Sequence, residues 1–162
     1  MGFKNVNKIR KNSKSQNLAF YTHNIMTLFF LIVGQSNPLY SAEFNVKPGT
    51  ATSDSETHLN NFLLHSSLDL VQSAKWTTSS CNLKTVDASL PNKLVSVFVT
   101  ASDIKLMLLH SGKPPEPIKN FFNDVYEIFV KVVLNPFYEY DTPITSRAFD
   151  TKVRAVSRKY LS

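Results

Sequence analysis

The stretch from Ile118 to Ile144, IKNFFNDVYEIFVKVVLNPFYEYDTPI, decides the fold. Read as a helix up to Leu134, it spaces Ile118, Phe121, Phe122, Val125, Phe129, Val132 and Val133 at i, i+3, i+4 and i+7, which makes one apolar stripe. Asn120, Asn123, Asp124, Glu127 and Lys131 form the opposite, polar stripe. Between the two lie Tyr126, Ile128, Val130 and Leu134, so the apolar arc is wider than a helix needs to rest on one sheet. Each such side chain gains roughly 1.5–3 kcal/mol on burial, which predicts a second occupant for this flank. The occupant is either the last helix or a partner protein. Asn135-Pro136 then stops the helix, because the residue before a proline is pushed out of the α region.

Outward from this helix the rest of the chain reads as a mixed α/β domain. Thr27 to Val33 is a continuous apolar run, as expected of a central strand covered on both faces. GQSNP (34–38) turns the chain and Leu39 to Phe44 pairs back. After a polar loop, Lys47 to Ser55, the spacing of Ser53 and Glu56 is that of a capping box, so a helix is predicted from about Asp54. In it Leu59, Phe62, Leu63, Ser66 and Leu70 form one stripe and Leu64, Leu68 and Val71 a second. Three strands follow, Asn82 to Asp87, Leu94 to Thr100 and Ile104 to His110, the last two joined by the hairpin connection Ala101-Ser102-Asp103. The proline-rich loop Ser111 to Pro117 leads to the long helix. After Pro143, Thr145 or Ser146 can cap a final helix with the stripe Phe149, Val153, Val156 and Tyr160. The order is ββαβββαα, without internal repeat or dividing linker.

Charge is unevenly placed. Of the net +6, Lys4, Lys8, Arg10, Lys11 and Lys14 supply five positive charges in the first 25 residues, where there is no acid, and 13 basic against 12 acidic residues remain. The domain itself is nearly neutral, which argues against nucleic-acid binding. Residues 1–25 are read as a disordered basic extension or as sequence upstream of a start at Met26; a targeting segment is the alternative. Myristoylation at Gly2 fails because position 6 is Val6. The longest apolar run, Ile25 to Val33, is nine residues, against roughly 20 for a membrane span. The single cysteine, Cys81, permits no internal disulfide, consistent with a reducing compartment.

No catalytic or metal constellation emerges. Gly112-Lys113 does not end a phosphate loop, since Met107 stands where the first glycine belongs and two prolines follow. His58 and His65 share a helix face, but neither His23, His110 nor Cys81 is placed to complete a ligand set. Ser66 and Ser67 beside His65 lack a strained elbow. Two features remain for partners. Arg147, Arg154 and Arg158 line one face of the last helix, either a solvated face or a surface for an acidic partner or anionic membrane. Asp69 is the only charge between Glu56 and Lys75, either an inconsequential acid or a specific polar contact in an apolar partner surface.

HLNNFLLHSSLDLV (58–71), LKTVD (83–87), SVFVTA (96–101), LMLLH (106–110), IKNFF (118–122), LNPFY (134–138) and AFDTKVRA (148–155) together resemble the sedlin family, subunit 2 of the transport protein particle (TRAPP) complex, over Met26 to Leu161. The resemblance departs at Cys81-Asn82, where the family more often has Met-Tyr, and at Ser102-Asp103, where it usually has Gly-His. It implies a longin-like (SNARE-like, profilin-like) α/β fold in residues 26–162, a five-stranded antiparallel sheet with one helix on one face and two on the other. It also implies a non-catalytic, cofactor-free adaptor in a tethering complex between endoplasmic reticulum and Golgi, whose core promotes nucleotide exchange on a Rab GTPase. Such a chain is expected in the cytoplasm, peripheral on endoplasmic reticulum and cis-Golgi membranes through the complex, with other small and large TRAPP subunits as partners. Leu64, Leu68, Asp69, Tyr126, Val130 and Leu134 are the expected partner surface. The subunit 2-like paralogue shares NPFY and AFD, and a coat or SNARE-related longin domain is the wider alternative.

Overall fold

The structure is a computed structural model that describes residues 28–35, 37–44, 54–78, 80–90 and 93–161. The basic extension 1–25, the start at Met26, most of the loop from Lys47 and Ser53 of the expected capping box lie outside the described residues. Eight elements follow in the predicted order: β1 (Leu28–Val33), β2 (Pro38–Phe44), α1 (Asp54–Ala74), β3 (Asn82–Leu90), β4 (Lys93–Val99), β5 (Lys105–His110), α2 (Pro115–Val133) and α3 (Arg147–Leu161). The strands form one antiparallel sheet in the order β2-β1-β5-β4-β3. No helix among the described residues is long and apolar enough to cross a membrane.

The apolar run of β1 splits by the two-residue period of a strand. Leu28, Phe30 and Ile32 face α2 and α3, joined by Leu106 and Leu108 of β5. Phe29 and Leu31 face α1, joined by Met107 and Leu109 and by Val95 and Val97 of β4. One helix therefore covers one face and two cover the other. On the two-helix side the rings of Phe30 and Phe121 meet edge-on at 5.1 Å, and those of Tyr40 and Phe149 at 5.0 Å.

α2 starts at Pro115, three residues before the predicted Ile118, because a proline at the first helical position gives up no needed N–H. Its buried residues, Ile118, Phe121, Phe122, Val125 and Phe129, are the predicted stripe. α3 packs beside α2, and of the predicted flank Tyr126 and Ile128 join the same core, Tyr126 against Phe98 of β4, while Val130 and Leu134 stay outside it. Of the two caps predicted for α3, Ser146 acts: its Oγ accepts from the Phe149 N–H at 3.4 Å. The buried stripe of α3 is Phe149, Val153, Ser157 and Leu161, with Val156 and Tyr160 at its margin rather than at its centre. Ser157 fits because its hydroxyl donates to the Arg154 carbonyl of its own helix.

Two aspartates in left-handed backbone set the connections. Asp103 (φ 60°) closes the β4–β5 hairpin, where its N–H donates to the Thr100 carbonyl and the Thr100 N–H to Ile104. Its carboxylate bridges Lys75 (3.0 Å) and Lys105 (3.2 Å), tying the hairpin to the end of α1. Burial pushes the Asp103 pKa up, but the hydrogen bonds from the two ammonium groups prevail and hold it below the usual carboxylate range. Asp141 (φ 60°) anchors the α2–α3 loop on the β1–β2 turn, accepting from the Gln35 N–H at Oδ1 and from Asn37 Nδ2 at its carbonyl. The path passes directly over Gly34, where a Cβ would collide with the Asp141 carboxylate and press on Leu39. Gly34→Ala is therefore expected to cost about 1–3 kcal/mol, the usual range for overpacking. Urea unfolding of the variant checks this, with an unchanged midpoint as the contrary result.

Candidate functional site

α1 carries apolar side chains all along its length, and the structure divides them. The residues buried on the sheet are Asn60, Leu63, Leu64, Ser67 and Val71. Leu68 is half-buried beside them. Leu59, Phe62 and Leu70, read from the sequence as lying with Leu63 on one stripe, are exposed, Phe62 at 67%. The core face thus follows the second predicted stripe, joined by Leu63 of the first and completed by two polar residues. Asn60 fits there because its Oδ1 accepts from Lys93 Nζ at 2.6 Å, and Ser67 because its Oγ donates to the Leu64 carbonyl at 2.9 Å.

The outward face runs Leu59, Phe62, Ser66, Asp69, Leu70 and Ser73. Ser66 and Ser73 turn their hydroxyls back onto the Leu63 and Asp69 carbonyls, which mutes their polarity. Asp69 is left as the lone carboxylate on an apolar strip. Contiguous exposed apolar surface of this kind marks interaction sites in folded proteins.

The six residues expected at partner interfaces lie along two helices, and the structure sets them on opposite faces of the sheet. Leu64 is 1% exposed, held against the sheet by its place between Asn60 and Ser67, and has no area to offer a partner. Leu68 is half-buried and Asp69 is exposed, both on the α1 side. Tyr126 and Val130 are half-buried on α2, across the sheet, and Leu134 stands 75% exposed just past the end of α2. Leu59, Phe62 and Leu70 are absent from the interface residues expected from the sequence; the polar Asn60 and Ser67 at core spacing were the available signal.

The basic face of α3 is also divided. Arg147 and Arg158 are exposed, whereas Arg154 is committed: its Nε pairs with both Asp150 oxygens (3.0 and 2.9 Å) and its Nη1 donates to the Glu43 carbonyl of β2. Tyr40 Oη donates to the same Asp150 carboxylate at 2.7 Å. The Arg154 and Tyr40 hydrogen bonds hold Asp150 below its ordinary pKa, while burial and the Asp150 contact push Tyr40 up. No group of three or more His, Cys, Asp or Glu is placed to hold a metal among the described residues.

A five-stranded antiparallel sheet with one helix on one face and two on the other defines a longin-like module. The family to which the chain belongs is the sedlin family, whose profile matches residues 31–159. Similar proteins include the "Probable trafficking protein particle complex subunit 2" of Drosophila melanogaster, 41% identical over 83% of this chain and 97% of the relative. Its counterpart of the same name in Caenorhabditis elegans is 41% identical over 83% of this chain and 96% of the relative. The "Transport protein particle 20 kDa subunit" of Schizosaccharomyces pombe is 38% identical over 84% of this chain and all of the relative.

Among the described residues Ser96 Oγ and His110 Nε2 meet at 2.8 Å, but both side chains are buried. The Lys113 N–H donates to Nδ1, so Nε2 carries the proton of a neutral ring and donates to Ser96. Burial, helped by the charge of Lys113, pushes the His110 pKa down to about 4. Between that value and the unfolded value near 6.5, the unfolded chain binds a proton that the folded chain refuses. The stabilisation is complete above pH 6.5 and is lost as pH falls toward 4. From pH 7 to 4.5 the native protein should lose about 2–3 kcal/mol more than His110→Gln, measured by urea unfolding. Equal losses in the two proteins would assign the acid sensitivity to other groups.

Proposed function

We propose that the chain is a non-catalytic adaptor subunit of the TRAPP vesicle-tethering assembly, which docks other subunits through the outward face of α1. The observation that carries this reading is the exposed strip of Leu59, Phe62 and Leu70 around the single carboxylate of Asp69. Apolar side chains supply the affinity of such a contact and a lone charge its register, since an unpaired carboxylate excludes partners without a matching donor. The partner therefore presents an apolar surface with one cationic or N–H donor group. Membership of the sedlin family supports the choice of assembly. The resemblance further supports placement in the cytoplasm, peripheral to endoplasmic reticulum and cis-Golgi membranes, with an indirect link to nucleotide exchange on a Rab GTPase. Arg147 and Arg158, both exposed, remain available to an acidic partner or an anionic membrane surface.

Purification of the full chain, tagged at its C-terminus, from its own cells tests this. The wild type should carry other TRAPP subunits with it. Asp69→Tyr changes an exposed side chain, so circular dichroism and the melting temperature should hold, while at least one bound subunit falls by about tenfold or more. An unchanged set of bound subunits would remove Asp69 from the interface.

A further inference from the structure

The loop after α2 displays an apolar group more openly than any part of α1. Phe137 is 94% exposed, and Leu134 and Tyr140 flank it on the surface. Such exposure in a slack loop would mean little, but here the backbone is locked around it. The Asn135 N–H donates to the Val132 carbonyl, the Phe137 N–H to Asn135 Oδ1 (3.1 Å), and the Tyr138 N–H to the Asn135 carbonyl (3.0 Å). Tyr138 Oη donates to the Thr142 carbonyl (2.6 Å) while its ring packs on the core, and Thr142 Oγ1 closes back on Glu139. The Asp141 contacts with Gln35 and Asn37 then fasten the loop to the sheet. Asn-Pro-Phe-Tyr is thus a pre-formed turn that turns its tyrosine in and its phenylalanine out.

We propose that this turn is a second docking element, a knob whose Phe137 ring enters an apolar pocket with a basic rim on another subunit of the same assembly. The shape is convex, so the partner is concave. Between Lys131 and Arg147 the chain has two carboxylates, Glu139 and Asp141, and no lysine or arginine, in a domain that is otherwise nearly neutral; Asp141 Oδ1 holds the Gln35 N–H, which leaves the exposed Glu139 to face a partner. That local charge matches a basic rim and opposes an anionic lipid surface, which favours a protein pocket over a membrane as the occupant. Because the turn is already ordered, binding costs little conformational entropy. Tyr138 packs on the α2/α3 core, so the knob lies across the sheet from the α1 strip and serves a separate contact. The inference rests on the adaptor reading above.

The test uses the same tagged full chain in its own cells, with Phe137→Ala, Phe137→Trp and Glu139→Lys, and a photoreactive benzoylphenylalanine placed at 137. Phe137→Ala should leave circular dichroism and the melting temperature unchanged yet lower one co-purifying subunit by about tenfold or more, the loss expected of a buried aromatic anchor. Phe137→Trp should retain that subunit, Glu139→Lys should weaken it severalfold, and the photoreactive side chain should cross-link to an apolar segment of it flanked by lysine or arginine. Full retention of every subunit by Phe137→Ala overturns the knob while leaving the adaptor reading intact. Phosphatidylserine vesicles that bind the wild type but not Phe137→Ala overturn it in favour of a membrane wedge. A wild-type chain that carries no TRAPP subunit removes both readings together.

Discussion

The central strands β1 and β5 are buried on both faces, and the remaining architecture answers that demand. From Leu28 to Ile32 and from Leu106 to Leu109 no side chain is appreciably exposed, whichever face it points to. A sheet with such a centre needs helices on both sides. The two sides are covered unequally. Five strands at about 4.8 Å spacing make a sheet roughly 24 Å wide, whereas a helix with its side chains is about 10–12 Å across. The pair α2 and α3 matches that width; α1 alone does not. The shortfall shows in Val33, Leu83, Val86 and Val99, which are only partly buried around the α1 core. The under-covered side is also the one whose helix keeps Leu59, Phe62 and Leu70 in the open.

Polar contacts fix how the layers are set rather than how tightly they cohere. Arg154 reaches from α3 to the Glu43 carbonyl on the edge strand β2, and the Ile144 N–H donates to the Leu39 carbonyl on the same strand. Together they occupy backbone acceptors on an edge that could otherwise pair with another chain. At the other end of the molecule, Asp103 ties the β4–β5 hairpin to the end of α1 through Lys75. Lys75 and Lys105 are largely buried in their side chains, so this clamp is less screened by solvent than the exposed pair of Lys159 and Asp124.

Legibility in the sequence followed the range of the determining interaction. Element order and the α2 stripe were readable because they depend on neighbours within one turn or one strand, and Pro136 marks the end of α2 by local sterics alone. The core face of α1 was not legible because apolar residues fill both of its stripes, and its setting depends on Asn60 meeting Lys93, 33 residues away. The commitment of Arg154 to β2 spans 111 residues, and the hold of Asp141 on Gln35 spans 106. No local pattern records such pairs. Phe137 could be placed in a turn after Asn-Pro, but its outward aim depends on Tyr138 being drawn inward, which only the folded core decides.

The separation of the two apolar displays also bears on how an adaptor of this build would work. A coupling between sites requires an element with two arrangements that both sites bias. Between the α1 strip and the Phe137 turn stands the doubly buried pair of β1 and β5, close-packed and continuously hydrogen-bonded, which has no evident second arrangement. The knob itself is anchored to the β1–β2 turn through Asp141 rather than to α1. Occupation of one surface should then leave the affinity of the other unchanged, and the chain would join its neighbours as a rigid spacer. Any advantage in assembly would come from effective concentration, two weak contacts made on one body, rather than from a conformational signal passed through it.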